Sequence, residues 1–446
     1  MEKIIASIST PHGTGAISIV RMSGEGSLNL ALKFFSAKNL SLDTVKPRYM
    51  YLGDFNAENI SEKCLMVYFK APYSFTGEDM VEFQIHGGEL LTQNILEVLL
   101  NNGAALAENG EFSKRAFVNG KMSLDEAEGI VDVIEATSTA QLKAGFELMK
   151  GKLFKSVEEM QNMLTQTIAR IEVTLDYPEH DDEEAEKDLA LLTLEKIKTD
   201  IEKLLKNSKH SHLIKGGVNV ALVGKPNVGK SSLLNALLNQ ERAIVTDIKG
   251  TTRDIIKESI NFEGVRFNFL DTAGLRESTD VVENIGISKT KDVIKSADIV
   301  VFLLDGSLPI DEEDLIIYKE IKQYNPLVVL NKMDAKINQK IPFENVFEIS
   351  ALKEEKIEEL KQLLYDKTIK EKIDASQMVL TNQRHIEALN TAKALTENAL
   401  KAIPGLSADI VNFELKNIWL ELGKITGVSE NEKIIDEIFS RFCLGK

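Results

Sequence analysis

The stretch Gly-Lys-Pro-Asn-Val-Gly-Lys-Ser at residues 224–231 constrains this chain more than any other feature. It follows the mostly apolar run 218–223 and leads into the segment 232–238, an order that predicts a buried strand, a glycine-rich loop and a helix. The pattern G-x-x-x-x-G-K-S is that of a P-loop, in which backbone N–H groups and a helix N-terminus converge on the phosphates of a nucleotide. We therefore expect Lys230 to reach the β- and γ-phosphate oxygens and the Ser231 hydroxyl to hold Mg²⁺. An ordinary turn with two glycines is the alternative, which the flanking strand and helix disfavour.

The stretch Asn-Lys-Met-Asp at residues 331–334 predicts that the base is guanine. The Asp334 carboxylate can accept two hydrogen bonds from guanine's ring N–H and amino group, and adenine lacks this pair of donors. A site built for such bonds rejects an analogue without them by about 10⁴-fold or more. We expect the Lys332 stem to cover the base plane, Asn331 to brace the loop, and a backbone N–H within residues 350–352 to meet the guanine carbonyl.

Two more segments complete a nucleotide site of the Ras-like type. Asp271, at the end of another predicted strand, is expected to hold the Mg²⁺ shell through water, and the Gly274 N–H to reach the γ-phosphate. A threonine of the loop 250–254 is expected to complete the Mg²⁺ site. The predicted GTP-binding residues are Asn227, Val228, Gly229, Lys230, Ser231, Ser232, Thr246, Asp247, Ile248, Lys249, Gly250, Thr251, Thr252, Asp271, Thr272, Ala273, Gly274, Asn331, Lys332, Met333, Asp334, Ser350, Ala351 and Leu352.

The residue after the D-x-x-G glycine is unusual. Ras-like enzymes use a glutamine there to orient the attacking water, and Leu275 cannot do this. The Asn227 side chain, a neutral oxygen ligand, is a candidate for holding an alkali cation beside the phosphates, or else it only shapes the loop. Glu283 is a candidate for positioning water, or else it is an acidic residue in a first helical turn, where it stabilises the helix.

Length and composition indicate a globular protein of about three domains. The chain has 446 residues and a net charge of −16, which argues against a generally basic nucleic-acid-coating protein. Cys64 and Cys443 lie far apart, so we expect neither a disulfide framework nor a zinc site, and a reducing cytoplasm fits. The sequence shows no signal-peptide pattern, and no apolar run approaches the ~20 residues that a membrane helix needs.

The pattern along the chain predicts a multidomain fold. Residues 1–118 read as an α/β domain, with strands at 4–8, 16–20, 65–69 and 80–85 and a helix at 90–100. Residues 119–215 and 372–446 are helical, with an amphipathic helix over 123–176, an acidic connector at 179–184, a helix at 189–205 and a polar link at 208–215.

Residues 216–371 alternate strand and helix, as in a mostly parallel sheet with helices on both faces. This is a Ras-like P-loop α/β domain, hereafter the G domain. We expect it to be inserted into one α-helical bundle built from both flanking segments, with two separate helical domains as the alternative. Its predicted strands are 218–223, 258–262, 266–270, 299–304, 327–330 and 346–349, and its predicted helices are 231–238, 283–296, 312–323 and 357–364.

Over essentially its whole length the chain resembles the MnmE (TrmE) family of tRNA-modifying GTPases. Besides the nucleotide motifs, the resemblance rests on Thr10-Pro11 with Gly13 and Gly15, and on the segments 20–24, 74–79, 86–88, 110–117, 271–277 and 442–446. The last segment, Phe-Cys-Leu-Gly-Lys, is the most diagnostic outside the G domain.

The resemblance implies a second site and two metal sites. The family's N-terminal domain makes the homodimer and binds a 5-formyltetrahydrofolate-type one-carbon donor, here matched by Arg21, Glu82 and Lys121, with Lys446 from the bundle. The residues that match its K⁺ ligands are Asn227, Thr246, Ile248 and Thr251, and those that match its Mg²⁺ ligands are Ser231 and Thr252. Glu283 matches the catalytic glutamate, and Cys443 matches a terminal cysteine that we assign to the catalytic set, with simple packing as its alternative role.

The resemblance also implies partners and a product. With the FAD-binding enzyme MnmG (GidA), in a heterotetramer, the family adds a carboxymethylaminomethyl-type group to C5 of the wobble uridine of certain tRNAs, and the FAD belongs to the partner only. Two rival functions stay open: a ribosome-assembly GTPase switch, and a folate-dependent aminomethyltransferase regulated by a G domain. Assembly GTPases usually carry an RNA-binding module in place of residues 1–118 and the cysteine-containing ending.

Overall fold

The chain divides into two compact units. The computed structural model describes residues 3–176, 183–239, 257–271, 293–337, 341–373, 378–429 and 431–446. The first unit comprises Met1–Val131, Gly145–Lys198 and Ala388–Lys446, and the second comprises Asp132–Ala144 and Thr199–Glu387. The predicted G domain at 216–371 lies wholly within the second unit, which also takes in 132–144, 199–215 and 372–387.

Both units contain strands and helices. The strands are β1 (Ile5–Ile8), β2 (Ile17–Ser23), β3 (Phe35–Ser36), β4 (Met50–Ala57), β5 (Ile60–Phe69), β6 (Met80–His86), β7 (Ala105–Leu106), β8 (Val218–Val223), β9 (Lys257–Phe262), β10 (Val265–Asp271), β11 (Ile299–Asp305), β12 (Leu327–Asn331) and β13 (Phe347–Glu348). The helices are α1 (Ser27–Phe34), α2 (Glu89–Asn101), α3 (Glu111–Val118), α4 (Leu124–Ile134), α5 (Thr139–Met149), α6 (Lys152–Asp176), α7 (Glu183–Leu205), α8 (Ser211–Lys215), α9 (Lys230–Asn239), α10 (Glu312–Ile321), α11 (Ile357–Tyr365), α12 (Gln383–Ala402), α13 (Ala408–Thr426) and α14 (Glu432–Ser440). Among the residues described, no helix combines the length and hydropathy needed to cross a bilayer.

A seven-stranded sheet forms the N-terminal part of the first unit. Its order is β3-β4-β5-β6-β2-β1-β7, with β1 and β7 parallel and the other neighbours antiparallel. Alternate residues such as Met22, Met66 and Phe83 are buried on one face, where Ile95 and Leu99 of α2 pack against them. β2 continues through Ser23, so Arg21 lies inside a strand with its side chain on the opposite face from Val20 and Met22.

The helices of the first unit come from both sides of the G domain in sequence. α6 packs against α13, with Leu153, Val157 and Leu164 buried along one face of α6. Gln161 Nε2 donates to the Trp419 carbonyl at 3.1 Å, and Trp419 Nε1 donates to Thr165 Oγ1 at 3.1 Å. Because α6 precedes the G domain and α13 follows it, the two flanks form one helical layer, and the predicted multidomain fold class is confirmed.

The single helical run predicted over 123–176 is wrong in its continuity. Three helices, α4, α5 and α6, share it, with breaks at 135–138 and at Lys150-Gly151. Gly151 has φ 64°, a left-handed conformation that ends a helix at little cost only for glycine. The apolar periodicity therefore continues across breaks that it does not itself mark.

A six-stranded sheet forms the core of the second unit. Its order is β13-β12-β11-β8-β10-β9, with only the pairing of β9 to β10 antiparallel, which confirms the predicted mostly parallel sheet. The central strands are buried on both faces, with Val220 and Leu222 in one core cluster and Ala221 and Val223 in another.

One further local prediction is wrong, and two others fall mainly outside the described residues. The polar link predicted at 208–215 is wrong, because a 3₁₀ turn at Ser208–His210 leads into α8 and buries Leu213 and Ile214 in the core of the sheet. The helix predicted at 283–296 lies outside the described residues except for its last turn. The acidic connector predicted at 179–184 lies largely outside them too, and α7 begins at Glu183.

Candidate functional site

The P-loop joins the carboxyl end of β8 to the start of α9, at the edge of the sheet that is formed by the carboxyl ends of its parallel strands. A Cβ on Gly224 would lie 2.3 Å from the Leu303 carbonyl oxygen, and one on Gly229 would lie 2.3 Å from Asn331 Nδ2. Gly229 also has φ 98°, and Asn227 between them has φ 63°. The two glycines of the motif are therefore required by close approach of neighbouring strands and loops, as well as by backbone conformation.

Lys230 is the first residue of α9 and is only 8% exposed. Its Nζ donates to the Gly224 carbonyl oxygen at 2.6 Å and to the Lys225 carbonyl oxygen at 2.9 Å. These bonds hold the ammonium group at the mouth of the loop. Ser231, Ser232 and Asn227 are exposed beside it, while Val228 is buried.

The segment 331–334, which is predicted to recognise guanine, is hydrogen-bonded directly to the P-loop. Asn331 Nδ2 donates to the Val228 carbonyl oxygen at 3.0 Å, and its Oδ1 accepts from the Ala351 N–H at 2.9 Å. Lys332 Nζ donates to the Asn227 carbonyl oxygen at 2.8 Å. Asn331 thus braces two loops at once, and Lys332 fixes the backbone of the residue predicted to hold K⁺.

Asp334 and the segment 350–352 lie together at the same edge. Ser350 Oγ donates to Asp334 Oδ1 at 2.5 Å, and this hydrogen bond lowers the pKa of the Asp334 carboxyl group. The Met333 N–H donates to the Ile349 carbonyl oxygen at 3.2 Å, and Leu352 is 81% exposed. The carboxylate is therefore ionised at neutral pH and accessible to a pair of N–H donors.

Asp305 is a functional candidate that the sequence motifs missed. It ends β11, its side chain is 8% exposed, and its Oδ2 accepts from Lys332 Nζ at 2.6 Å. Burial alone would raise the pKa of this carboxyl group, but hydrogen bonds from Lys332 and Ser307 outweigh burial and lower it. The available signal was the position of Asp305 at the end of a strand, because Asp271 and Asn331 also end strands of the same sheet.

The remaining predicted nucleotide and metal residues, together with Leu275 and the catalytic candidate Glu283, lie outside the described residues. They are Thr246, Asp247, Ile248, Lys249, Gly250, Thr251, Thr252, Thr272, Ala273, Gly274, Leu275 and Glu283. Asp271 ends β10 and pairs with Leu222 of β8, next to the P-loop. Of the predicted ligands, the described ones are the Ser231 hydroxyl and the Asn227 amide, both exposed neutral oxygen donors that suit Mg²⁺ and K⁺ respectively.

A second site, within the first unit, is a cavity of about 550 Å³ on the face of the sheet opposite α1 and α2. Its lining includes all four predicted folate residues, Arg21, Glu82, Lys121 and Lys446. Arg21 of β2 lies opposite Glu82 of β6, and its Nε donates to Glu82 Oε1 at 2.8 Å. The Arg21 guanidinium also lies 5.8 Å from the ring centre of Phe75.

The C-terminal segment 442–446 forms part of this cavity. The Gly445 carbonyl oxygen accepts from Ser9 Oγ at 3.2 Å, and the Lys446 oxygen accepts from the Phe112 N–H at 3.1 Å. Gly445 has φ 85°, and a Cβ there would lie 2.2 Å from the Ile8 carbonyl oxygen. Burial, with the charge of Arg21, lowers the pKa of the Lys446 ammonium group. Cys443 is exposed and unpaired.

The charged residues that line the cavity are mostly cationic. Arg48, which was not predicted, joins Arg21, Lys121 and Lys446 there, and Glu82 is the carboxylate among the lining residues. Arg48 Nη2 donates to the Tyr73 carbonyl oxygen at 3.0 Å. An excess of positive charge around a partly aromatic cavity fits an anionic ligand with a flat ring.

The segments 74–79 and 110–117, singled out in the sequence, hold one wall of this cavity. Ser23 Oγ donates to Glu78 Oε2 at 2.7 Å, and Arg115 Nη1 donates to the same oxygen at 3.2 Å. Asn119 Nδ2 donates to the Thr76 carbonyl oxygen at 2.8 Å. These bonds fix the loop that carries Ser74 and Phe75 into the lining.

Known proteins and families resemble the chain over its whole length. Residues 4–121 match the family model of the GTP-binding protein TrmE N-terminus, and residues 124–443 match that of the MnmE helical domain. The tRNA modification GTPase MnmE of Clostridioides difficile (strain 630) is 40% identical over 457 residues, covering 100% of both chains. The protein of that name from Aquifex aeolicus (strain VF5) is 40% identical over 454 residues, again covering 100% of both, and that from Bacillus licheniformis is 39% identical over 458 residues, covering 99% of both.

Proposed function

The chain belongs to the MnmE family of tRNA modification GTPases, and from this premise we propose that it is a K⁺-activated GTPase for wobble-uridine modification. It hydrolyses GTP in the course of tRNA modification. The finer proposal is that a carboxymethylaminomethyl-type group is added at C5 of the wobble uridine of certain tRNAs. The observation that carries this proposal is the cavity lined jointly by Arg21, Glu82, Lys121 and Lys446.

We propose that this cavity binds a 5-formyltetrahydrofolate-type one-carbon donor. The glutamyl carboxylates of a folate would meet the cationic lining, and its pterin ring would lie near Phe75 and Arg21. The Glu82 carboxylate could accept from the pterin N–H groups while it stays bonded to Arg21. Cys443, exposed one residue before the Leu444-Gly445-Lys446 ending, is proposed as a member of the catalytic set.

The nucleotide site supplies binding and orientation. Asp334 accepts from guanine, Lys332 and Asn331 hold the loop that surrounds the base, and Lys230 meets the β- and γ-phosphates. Ser231, with Thr252, would hold Mg²⁺, which neutralises phosphate charge when bound. Asn227, with Thr246, Ile248 and Thr251, would hold K⁺, which supplies the positive charge that an arginine finger supplies in other GTPases. Glu283 would orient the water that Leu275 cannot orient.

The proposed partners are a second copy of the chain, the FAD-binding enzyme MnmG (GidA) and tRNA. The sheet face opposite α1 and α2 exposes Met50 and Leu52. Leu65, which pairs with Leu52, is partly buried on this face. The same face extends to the cavity. We propose that a second copy covers this apolar face, which makes a homodimer, and that MnmG joins it in a heterotetramer. Two cysteines without a described disulfide support a cytoplasmic location.

The product of the reaction tests this function. A bacterial strain that lacks its own family member would be complemented with the wild-type chain or with Arg21→Ala, and its tRNA nucleosides would be analysed by mass spectrometry. We expect the wild type to restore the modified wobble uridine and Arg21→Ala not to restore it. Nucleosides that stay unmodified with the wild type would contradict the proposal and favour the ribosome-assembly switch. A uridine product of another kind would favour the folate-dependent aminomethyltransferase with a regulatory G domain.

A further inference from the structure

We propose that Lys225, the second residue of the P-loop, is a positioning residue for Lys230, and that Asp311 and Asp314 at the start of α10 hold it in that role. The inference rests on the GTP site described above and assigns a task to three residues that lie outside the expected nucleotide contacts. We call the group of Lys225, Asp311 and Asp314 the loop clamp.

The clamp is a short-range ionic contact with one buried carboxylate. Lys225 Nζ lies 2.7 Å from Asp311 Oδ2 and 2.9 Å from Asp314 Oδ2. The Lys225 side chain is 16% exposed and that of Asp314 is 5% exposed, whereas that of Asp311 is 56% exposed. A buried carboxylate is costly without a counter-charge, and Lys225 is the counter-charge that the described residues offer Asp314.

The two carboxylates are themselves fixed by the helix. Asp311 is the N-cap of α10, and its Oδ1 accepts from the Asp314 N–H at 3.2 Å. Asp314 returns the contact, since its Oδ2 accepts from the Asp311 N–H at 3.3 Å. This reciprocal capping places both carboxylates at the positive end of the helix dipole and leaves them little freedom to follow Lys225 if it moves.

The loop clamp acts on Lys230 through the backbone carbonyl group of Lys225. The Lys225 carbonyl oxygen accepts from Lys230 Nζ at 2.9 Å, beside the Gly224 carbonyl oxygen at 2.6 Å. When α10 holds the side chain of Lys225, it also restrains the Lys225 carbonyl group. This carbonyl group is one of the two acceptors that orient the Lys230 ammonium group. Pre-orientation of this kind spares the ligand the cost of ordering the group that binds it.

A direct phosphate contact from Lys225 is the competing interpretation. Its ammonium group already lies between two carboxylates, and although burial would lower the pKa of Lys225, its hydrogen bonds to Asp311 and Asp314 raise it. A phosphate would have to displace both carboxylates. The two interpretations also predict opposite effects of weakening the clamp from the aspartate side, because a released Lys225 could then approach the phosphates.

The experiment compares nucleotides that differ in the phosphates that Lys230 meets. Affinities of the full-length chain for GTP, GDP and GMP would be measured by competition with a fluorescent GDP analogue, for wild type, Lys225→Met, Lys225→Arg and Asp314→Asn. The matched control is Lys370→Met, which removes a lysine that is 72% exposed and lies 3.7 Å from Asp366 in an ordinary surface pair. Lys230→Ala serves as the reference for loss of the phosphate contact.

We expect Lys225→Met and Asp314→Asn to weaken GTP and GDP binding by about 10-fold, the loss of roughly one hydrogen bond to a charged group. GMP affinity should change by less than about twofold, because GMP has no β-phosphate for Lys230 to meet. Lys225→Arg should regain most of the GDP affinity, and Lys370→Met should match the wild type.

Three results would overturn the proposal: unchanged GDP affinity in Lys225→Met, an equal loss of GDP and GMP affinity, or tighter GDP binding in Asp314→Asn. The second would indicate general distortion of the loop, and the third a direct phosphate contact. If Asp314→Asn fails to fold, Lys225→Met with Lys225→Arg decides the question. If Lys230→Ala leaves GDP affinity unchanged, the GTP site itself is wrong, which is a different failure from that of the clamp.

Discussion

Single side chains set the specificity and the charge balance of the nucleotide site. Lys332 donates both to the P-loop backbone at Asn227 and to the buried Asp305, so one ammonium group joins base recognition to the phosphate loop. Asp305 lies outside the expected motifs, yet it is the acceptor that keeps Lys332 in this position. Its contribution should depend on pH, because its carboxyl pKa is lower in the folded chain than its ordinary value.

Asp305→Asn is expected to destabilise the G domain by about 1 to 3 kcal/mol at pH 7, because it removes the charged partner of Lys332. A carboxyl group with a lowered folded pKa contributes stability above its unfolded pKa of about 3.9, and this contribution is lost as pH falls through the folded pKa. The difference between variant and wild type should therefore shrink below about pH 4.

Thermal unfolding across pH 3 to 8 with bound GDP absent would measure this difference. Asp366→Asn, which removes the carboxylate of a surface pair whose lysine is 72% exposed, is the control and should change little. A gap between Asp305→Asn and wild type that does not narrow in acid would refute the charge-based role.

Glu283 and K⁺ are expected to act together in hydrolysis. Turnover of GTP would be compared in KCl and in NaCl for wild type and Glu283→Ala. Wild type in KCl should exceed the other three samples by about 10²-fold or more, since each of those samples lacks the water-orienting carboxylate, the K⁺ charge or both. Equal turnover in all four samples would exclude the mechanism.

At the scale of elements, the C-terminal segment acts as one wall of the cationic cavity. Gly445 allows this because it adopts φ 85° and approaches the Ile8 carbonyl oxygen too closely for any side chain. Packing of Phe439 and Phe442 against Phe117 holds the preceding residues. The segment is therefore docked by shape as well as by the hydrogen bonds that the Gly445 and Lys446 carbonyl oxygens accept from Ser9 and Phe112.

Gly445→Ala should undock this wall and weaken binding of 5-formyltetrahydrofolate by about 10-fold or more, because the new Cβ has no room and strains the backbone. GTP turnover should stay unchanged. Leu444→Ala, at a neighbouring residue that is 36% exposed, is the matched control. Calorimetric titration measures the affinity, and wild-type affinity in Gly445→Ala would contradict the docking role.

The sequence predicted the G-domain strands well because β8, β11 and β12 are short, mostly apolar runs closed by a polar motif. It missed β4, because Gly53 interrupts the sequence pattern of that strand. The structure explains the glycine, since a Cβ at that position would lie 2.3 Å from the Ser36 carbonyl oxygen of the adjoining strand. It also missed α8, since two buried apolar residues in five carry too little periodicity. The folate residues were identified by family resemblance alone, because no local pattern brings Lys446 to Arg21.

For the whole molecule, the exposed apolar face of the N-terminal sheet makes a testable prediction about the oligomeric state. The outer face of the N-terminal sheet exposes Leu52 at 61% and Met50 at 50%, while the opposite face is covered by α1 and α2. An apolar sheet face of this kind is usually covered by another protein surface. The proposed occupant is a second copy of the chain.

If the proposed dimer forms through this face, Leu52→Glu is expected to convert it to a monomer, because a carboxylate on each copy would be buried without a partner. Analytical ultracentrifugation measures the mass in solution. Leu192→Glu, at a residue of α7 that is 71% exposed, should leave the dimer intact. A Leu52→Glu protein that stays dimeric would show that the copies meet elsewhere.

The docking of residues 442–446 beside Ser9 and Phe112 also sets an order of events during synthesis. The ribosome releases Arg21, Glu82 and Lys121 early, but the wall that faces them emerges only after the entire G domain has been made. A nascent chain can thus have a complete G domain while its cavity still lacks Lys446. A partial product that lacks residues 442–446 would therefore also lack the complete cavity, and with it the proposed one-carbon site, even if its G domain could already bind GTP.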